Sequence, residues 1–117
     1  MQDYKNLVAW KKAHGLAVAT YKATDAFPKN ESYGLTSQLR RSCTSIPANI
    51  AEGCGRDGNA ELSRFMQISL GSANELEYHL LLSRDLHYLK NDDYDNLNKQ
   101  VNEVKGMLIA FIRKLRT

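Results

Sequence analysis

Between residues 38 and 56 the chain reads QLRRSCTSIPANIAEGCGR, and this stretch holds its densest set of polar groups that could do chemistry. At about 100° per residue on a helix, Gln38, Arg41, Ser45, Asn49, Glu52 and Arg56 fall within about 80° of one another. Leu39, Cys43, Ile46 and Ile50 form a separate apolar stripe about 60–120° further round. The polar stripe has two readings. In one it is a half-buried network or a subunit interface, in which Arg41 pairs with Glu52, or with Glu75 or Glu77 elsewhere in the chain, because a charge withdrawn from water needs a partner. In the other it is a contact face for a ligand or a nucleic acid.

Catalytic arrangements are not found. Ser45 and Cys43 have no base at a fixed spacing, and a cysteine buried on a helix is usually inert. Di-iron bundles use Glu-x-x-His pairs, but Glu75 and Glu77 are followed three residues later by Tyr78 and Leu80. His14, His79 and His87 show no ligand spacing, and His14 is expected at the edge of the core. The run GCGRDG follows a helix rather than a strand, so it reads as an interhelical turn and not a phosphate loop. Asn30-Glu-Ser matches a glycosylation pattern that means nothing without secretion. The expectation is a protein with no catalytic residues, no metal and no cofactor, and no enzymatic activity.

The elements that carry these residues are helical. Alternating β-branched runs are absent, prolines are only Pro28 and Pro47, and Ala, Leu, Glu, Lys and Gln are plentiful. The first helix is expected from about Tyr4 to Thr24, capped by Asp3, with a stripe of Leu7, Trp10, Ala13, His14, Ala17, Val18, Tyr21 and Thr24. The second should start near Glu31 with Asn30 as its cap and end at Gly53 to Gly55, where glycine takes left-handed geometry cheaply. Pro47 cannot donate to the Cys43 carbonyl, so a kink is expected there, with Thr44 and Ser45 hydroxyls available to the freed carbonyls. A third helix should run from after Asp57 to about Leu89 on Leu62, Phe65, Met66, Ser69, Ala73, Leu76 and Leu80. A fourth, capped by Asn91 or Asp92, carries Tyr94, Leu97, Val101, Val104, Leu108, Phe111, Ile112 and Leu115. Four long helices with short connections predict an all-α, antiparallel up-down-up-down four-helix bundle over residues 1–117 as one domain.

Charge is unevenly spread along this frame. Residues 57–98 hold three basic and eight acidic groups, and residues 99–117 hold five basic groups and one acid. Folded as an antiparallel bundle, one pole would gather Lys5, Lys11, Lys12, Arg56, Arg64, Arg113, Lys114 and Arg116. The other would gather Asp25, Glu31, Asp85, Asp92, Asp93 and Asp95. Helix dipoles account for part of this pattern. The net charge of +3 is weak for a nucleic-acid binder, but an oligomer would repeat the basic pole into a patch able to hold phosphate backbone without reading bases. Lys11, Lys12, Arg56, Arg113, Lys114 and Arg116 are the candidate phosphate contacts. Beside its core stripe the third helix carries a second apolar line, Ile68, Leu82 and Leu86, mixed with Gly71, Ser72 and Glu75. That line predicts a contact between subunits.

No run of 18 apolar residues spans a membrane, and MQDYKNLVAW lacks the apolar stretch of a signal peptide. Cys43 and Cys54, on one helix, would lie roughly 16 Å apart along its axis, too far to bridge. Two reduced thiols and no leader lead to the expectation of a cytoplasmic protein.

Four pieces together resemble a known family: FPKNESYGL at 27–35, QLRR at 38–41, SIPANIAEG at 45–53 and GSANELE at 71–77. The chain is similar over nearly its whole length to the 23S rRNA-intervening-sequence proteins, bacterial four-helix bundles that also carry an S23 ribosomal protein label. Ser42-Cys43, where small residues such as alanine are usual, and Gly15 within the first helix are mild departures. The resemblance implies a homopentamer and no established enzymatic activity. Some members are encoded inside insertions in large-subunit rRNA genes and others stand alone, so the label need not describe a ribosomal component. A related pentameric bundle, the accessory variability determinant of diversity-generating retroelements, works beside a reverse transcriptase and binds nucleic acid. Gln38, Arg41, Ser45, Asn49, Glu52 and Arg56 all match the family pattern, which attaches no settled role to them. Structured RNA or DNA and a protein partner are therefore the partners to be considered.

Overall fold

The structure is a computed structural model that describes residues 3–117. Four helices make up the body: α1, Val8–Thr24; α2, Leu35–Cys54; α3, Asn59–Asp85; and α4, Asn91–Leu115. Single 3-10 turns at Tyr4–Asn6 and Lys29–Glu31 precede α1 and α2. Each helix packs on its neighbours in a closed circuit, α1 on α2, α2 on α3, α3 on α4 and α4 on α1, giving a body of 44 × 23 × 20 Å. Along the α2–α3 seam, Arg41 meets Glu75, Ser45 meets Ser72 and the Ile46 carbonyl meets Ser69, so residue numbers rise on one helix as they fall on the other.

The core follows the leucine-rich stripes. All seven residues of the α3 stripe are buried, as are Leu97, Val101, Val104, Leu108 and Ile112 of α4 and Leu39, Cys43, Ile46 and Ile50 of α2. The α1 stripe is rotated from its expected position. Ala9, Ala13, Leu16, Ala17, Thr20 and Thr24 face inward, while His14, Val18 and Tyr21 are exposed. Small residues let α1 lie close to the bundle, and Thr20 and Thr24 satisfy their buried hydroxyls on carbonyls of the preceding turn, at 2.8 and 2.9 Å.

Several helix ends differ from the expected ones. Asp3 accepts a hydrogen bond from the Lys5 amide at 3.0 Å, but it caps the 3-10 turn; Leu7 is extended and α1 begins at Val8. Asn30 caps nothing and lies inside the second 3-10 turn. The carboxylate of Glu31 instead accepts from the Leu35 amide at 3.1 Å, capping α2 from four residues upstream. Neither Asn91 nor Asp92 caps α4; Lys90 holds that position without a side-chain bond. α3 stops at Asp85 because His87 takes a left-handed backbone, φ 65°, which a helix cannot continue through.

Gly53 and Gly55 do not use left-handed geometry either. Gly53 is a buried helical residue, and a Cβ there would lie 2.8 Å from the Phe65 Cβ and 3.2 Å from Leu62 Cδ1. Its lack of a side chain lets α2 and α3 approach. The left-handed glycine is Gly58, φ 83°, which turns the chain into α3. α2 runs through Pro47 as one helix, with Pro47 buried. Thr44 donates to the Arg40 carbonyl at 2.8 Å rather than to the Cys43 carbonyl.

Candidate nucleic-acid interface

The polar stripe of α2 divides into three small groups against α3. At its start, Arg41 donates to Gln38 at 2.7 Å and to the Glu75 carboxylate. Glu75 also meets the His79 ring at 3.2 Å. At its centre, the Ser72 hydroxyl donates to Ser45 at 3.0 Å, and the Asn49 amide donates to the Ser45 carbonyl and hydroxyl at 2.8 and 3.0 Å. At its end, Arg56 pairs with Glu52 at 3.1 Å. Of the three acids open to Arg41, the structure selects Glu75; Glu77 is held by Lys105 of α4 at 3.2 Å. The Arg41 and Glu75 side chains are 59% and 36% exposed, so this is a face in contact with water and not a sealed network.

Lys11 and Lys12 lie near the start of α1, and Arg113, Lys114 and Arg116 lie at the end of α4. Lys114 lines a groove with Leu7, Val8, Met107 and Phe111, which brings the last turn of α4 beside the first turn of α1. The 3-10 turn at Tyr4–Asn6 also touches α2. Of the six predicted phosphate contacts, two already have a carboxylate. Lys12 lies 3.7 Å from Glu103, and Arg56 is paired with Glu52. Arg56 also lies over the Phe65 ring at 5.2 Å, with Arg64 over the same ring at 4.5 Å. Glu61 is bonded to Arg64, which holds its carboxyl below the usual range. Among the described residues no carboxylate lies within ion-pair distance of Lys11, Arg113, Lys114 or Arg116, and all four are exposed.

The sequence reading passed over Arg40. Its guanidinium donates to the Thr24 hydroxyl at 3.0 Å, the Tyr21 carbonyl at 3.3 Å and Asp25 at 3.0 Å, and lies 4.6 Å from the Tyr21 ring centre. It ties the end of α1 to α2 and closes one side of an open apolar cavity of about 520 Å3 that includes Val18 and Pro47. The signal was present as QLRR, two adjacent arginines that a helix must send to different neighbours. His14, expected at the core edge, is exposed and stacks on Trp10 at 5.0 Å with near-parallel rings.

Both cysteines are free and buried. Burial pushes the Cys43 thiol up to about 11 and raises that of Cys54. A thiol so held has almost no thiolate at neutral pH and is a poor nucleophile. No cluster of three or more His, Cys, Asp or Glu among the described residues is placed to hold a metal ion. No helix of the structure is long and apolar enough to cross a membrane.

Fold and site thus define an all-α four-helix domain whose charged groups form solvated ion pairs and open cations. The chain belongs to the 23S rRNA-intervening sequence protein family, whose model matches residues 5–110. It is similar to a solved structure from Bacteroides thetaiotaomicron, a protein of unknown function from the S23 ribosomal protein family. The two are 30% identical, with a TM-score of 0.81 over 90% of this chain and 98% of the other. No curated protein matches the chain.

Proposed function

We propose that this protein is a non-enzymatic, cytoplasmic bundle that assembles with itself, as a homopentamer by its family resemblance, and binds the phosphate backbone of RNA or DNA through its basic pole. The observation that carries this reading is the set of four exposed cations at that pole, Lys11, Arg113, Lys114 and Arg116, with no carboxylate within ion-pair distance among the described residues. A cation without an internal partner is available to release counterions from a phosphate chain. Lys12 and Arg56 contribute less, because each must share its charge with Glu103 or Glu52. Assembly multiplies a weak monomer charge into a patch.

Fluorescence anisotropy with a structured RNA and a duplex DNA, at low and physiological salt, tests the reading, with light scattering on the same sample. Micromolar or tighter binding that weakens steeply with salt is the expected result. Absence of binding by an intact assembly would overturn it.

The second reading is a self-associating protein scaffold with no nucleic acid. The outer surface of α2 and α3 favours it. Ile68, Tyr78 and Leu86 are exposed there beside the Gln38–Arg41–Glu75 group. Apolar side chains next to an oriented ion pair suit a subunit or partner contact.

A further inference from the structure

The basic pole is not a plain charged surface. Between the start of α1 and the end of α4 lies an open groove of about 320 Å3, lined chiefly by the apolar atoms of Leu7, Val8, Met107, Ala110 and Phe111, with Lys114 at its edge. Val8 is 60% exposed, although it begins a helix whose other face is core. Phe111 is half-buried and lines the groove. Lys11 lies one turn beyond Leu7 along the chain, its amide bonding to the Leu7 carbonyl at 3.1 Å. Arg113 flanks Lys114 on α4. One unpaired cation, Lys114, therefore lines an apolar slot that contains an aromatic side chain, and Lys11 and Arg113 lie within a turn of its lining residues along the chain.

A continuous duplex would use the cations and leave the slot empty, because its bases are stacked inward. An unpaired nucleotide uses both. Its phosphates meet the lysines and arginine while its base enters the slot, where stacking on an aromatic side chain tolerates any sequence. Resting on the proposed nucleic-acid binding, we infer that the pole selects unpaired nucleotides, as in a single strand, loop or bulge, and seats one base in the α1–α4 groove against Phe111, with Lys11, Arg113 and Lys114 on the flanking phosphates. Lys114 in the lining disfavours a cationic occupant, and Phe111, the one aromatic side chain lining the groove, limits it to one base at a time.

The probes are a short single-stranded RNA carrying one 2-aminopurine, a blunt RNA duplex of the same length, and an acidic amphipathic peptide. Ala110→Leu fills the groove without changing charge; Ala110 is exposed and leucine is a good helix former, so the fold should be kept. The expected result is that Ala110→Leu weakens the single strand by about tenfold, the size of one lost stacking contact, and leaves the duplex unchanged. In the unaltered protein the 2-aminopurine fluorescence should change on binding. That second readout does not depend on how any variant folds. Equal affinity for single strand and duplex, unaffected by Ala110→Leu and with no change in 2-aminopurine emission, overturns the groove while leaving the basic pole standing. Binding of the peptide but of neither RNA overturns both the groove and the nucleic-acid reading.

Discussion

Cys43 is the residue whose environment makes the sharpest demand on solution behaviour. Its thiol is fully buried, donates weakly toward the Arg40 carbonyl, and is raised to about 11. An acid whose folded pKa is raised is favoured in its protonated, neutral form. The unfolded thiol begins to ionise near its ordinary value of 9.0, while the folded one stays neutral until about 11. This contribution to stability is therefore intact below about pH 9 and is lost as pH rises toward 11. Parent protein should lose roughly 2–3 kcal/mol more than Cys43→Ala across that window, as read by urea unfolding at successive pH values. A parallel pH profile in the two proteins would contradict the assignment. At pH 7 the native thiol should also resist alkylation. Arg41 makes a milder demand. Its pair with Glu75 is partly solvated, and Glu75 keeps His79, so Arg41→Ala should cost about 1 kcal/mol or less in folding. Under the scaffold reading the same variant should lose assembled mass in light scattering, and its unfolding midpoint should fall by more than the ion pair alone accounts for, because association stabilises the folded subunit. Retained mass would remove Arg41 from any subunit contact. The polar stripe was legible in the sequence because 3.6-residue spacing fixes which side chains share a face. Arg41's choice of Glu75 over Glu52 or Glu77 was not, since it depends on how far α3 is slid along α2.

At the scale of elements, apolar spacing was enough for α4, where every buried position is a large apolar residue, and for α3, where Leu62, Phe65, Met66, Leu76 and Leu80 mark the inward face that Ser63, Ser69, Ala73 and Ser83 share. It failed on α1 because large amphipathic side chains drew the stripe toward Trp10, His14, Val18 and Tyr21. The face that packs is built from alanines, whose small hydrophobic weight hides their value for close approach. Helix ends were misplaced for a related reason. Glu31 caps α2 across a turn, and His87 ends α3 in a conformation no local pattern announces. The glycines of the α2 end separate two physical roles. Gly53→Ala forces a Cβ against Phe65 at 2.8 Å in a buried seam and should cost about 1–3 kcal/mol. At Gly55 the nearest atom would be 3.5 Å away, with φ at −87°, so Gly55→Ala should change stability by about 0.5 kcal/mol or less. Thermal unfolding of the two variants side by side would show the contrast. Equal effects would mean that the helix end, and not the crossing, sets the requirement for glycine.

At the scale of the whole molecule, charge and shape act together. Lys11, Arg113, Lys114 and Arg116, exposed and without a carboxylate partner among the described residues, belong to the end of the 44 Å body where α1 begins and α4 ends; Lys22, Lys29 and Lys90, equally exposed and unpaired, lie toward the other end and are spread over three elements. Joint replacement of Arg113, Lys114 and Arg116 by alanine should weaken binding about equally across nucleic-acid sequences. The slope of log affinity against log salt should flatten by about 2–3, close to one for each phosphate contact removed. Unchanged affinity would take the pole out of the account. The uneven charge was readable from the chain, since Asp and Glu dominate residues 57–98 and Lys and Arg dominate the end. The groove beside the pole was not, because Phe111 reads as one more core residue of α4 until the start of α1 is placed next to it.

The alanines on the inner face of α1 also bear on the order in which the molecule comes apart. α1 brings Ala9, Ala13, Leu16 and Ala17 to the core, whereas α3 brings Leu62, Phe65, Met66, Leu76 and Leu80. At about 25 cal/mol per Å2 of buried apolar surface, α1 is much the more weakly held. A protein with such a contrast opens in parts. In native-state hydrogen–deuterium exchange, the amides of α1 should exchange first as one group, while those buried between α2 and α3 persist until the whole chain unfolds.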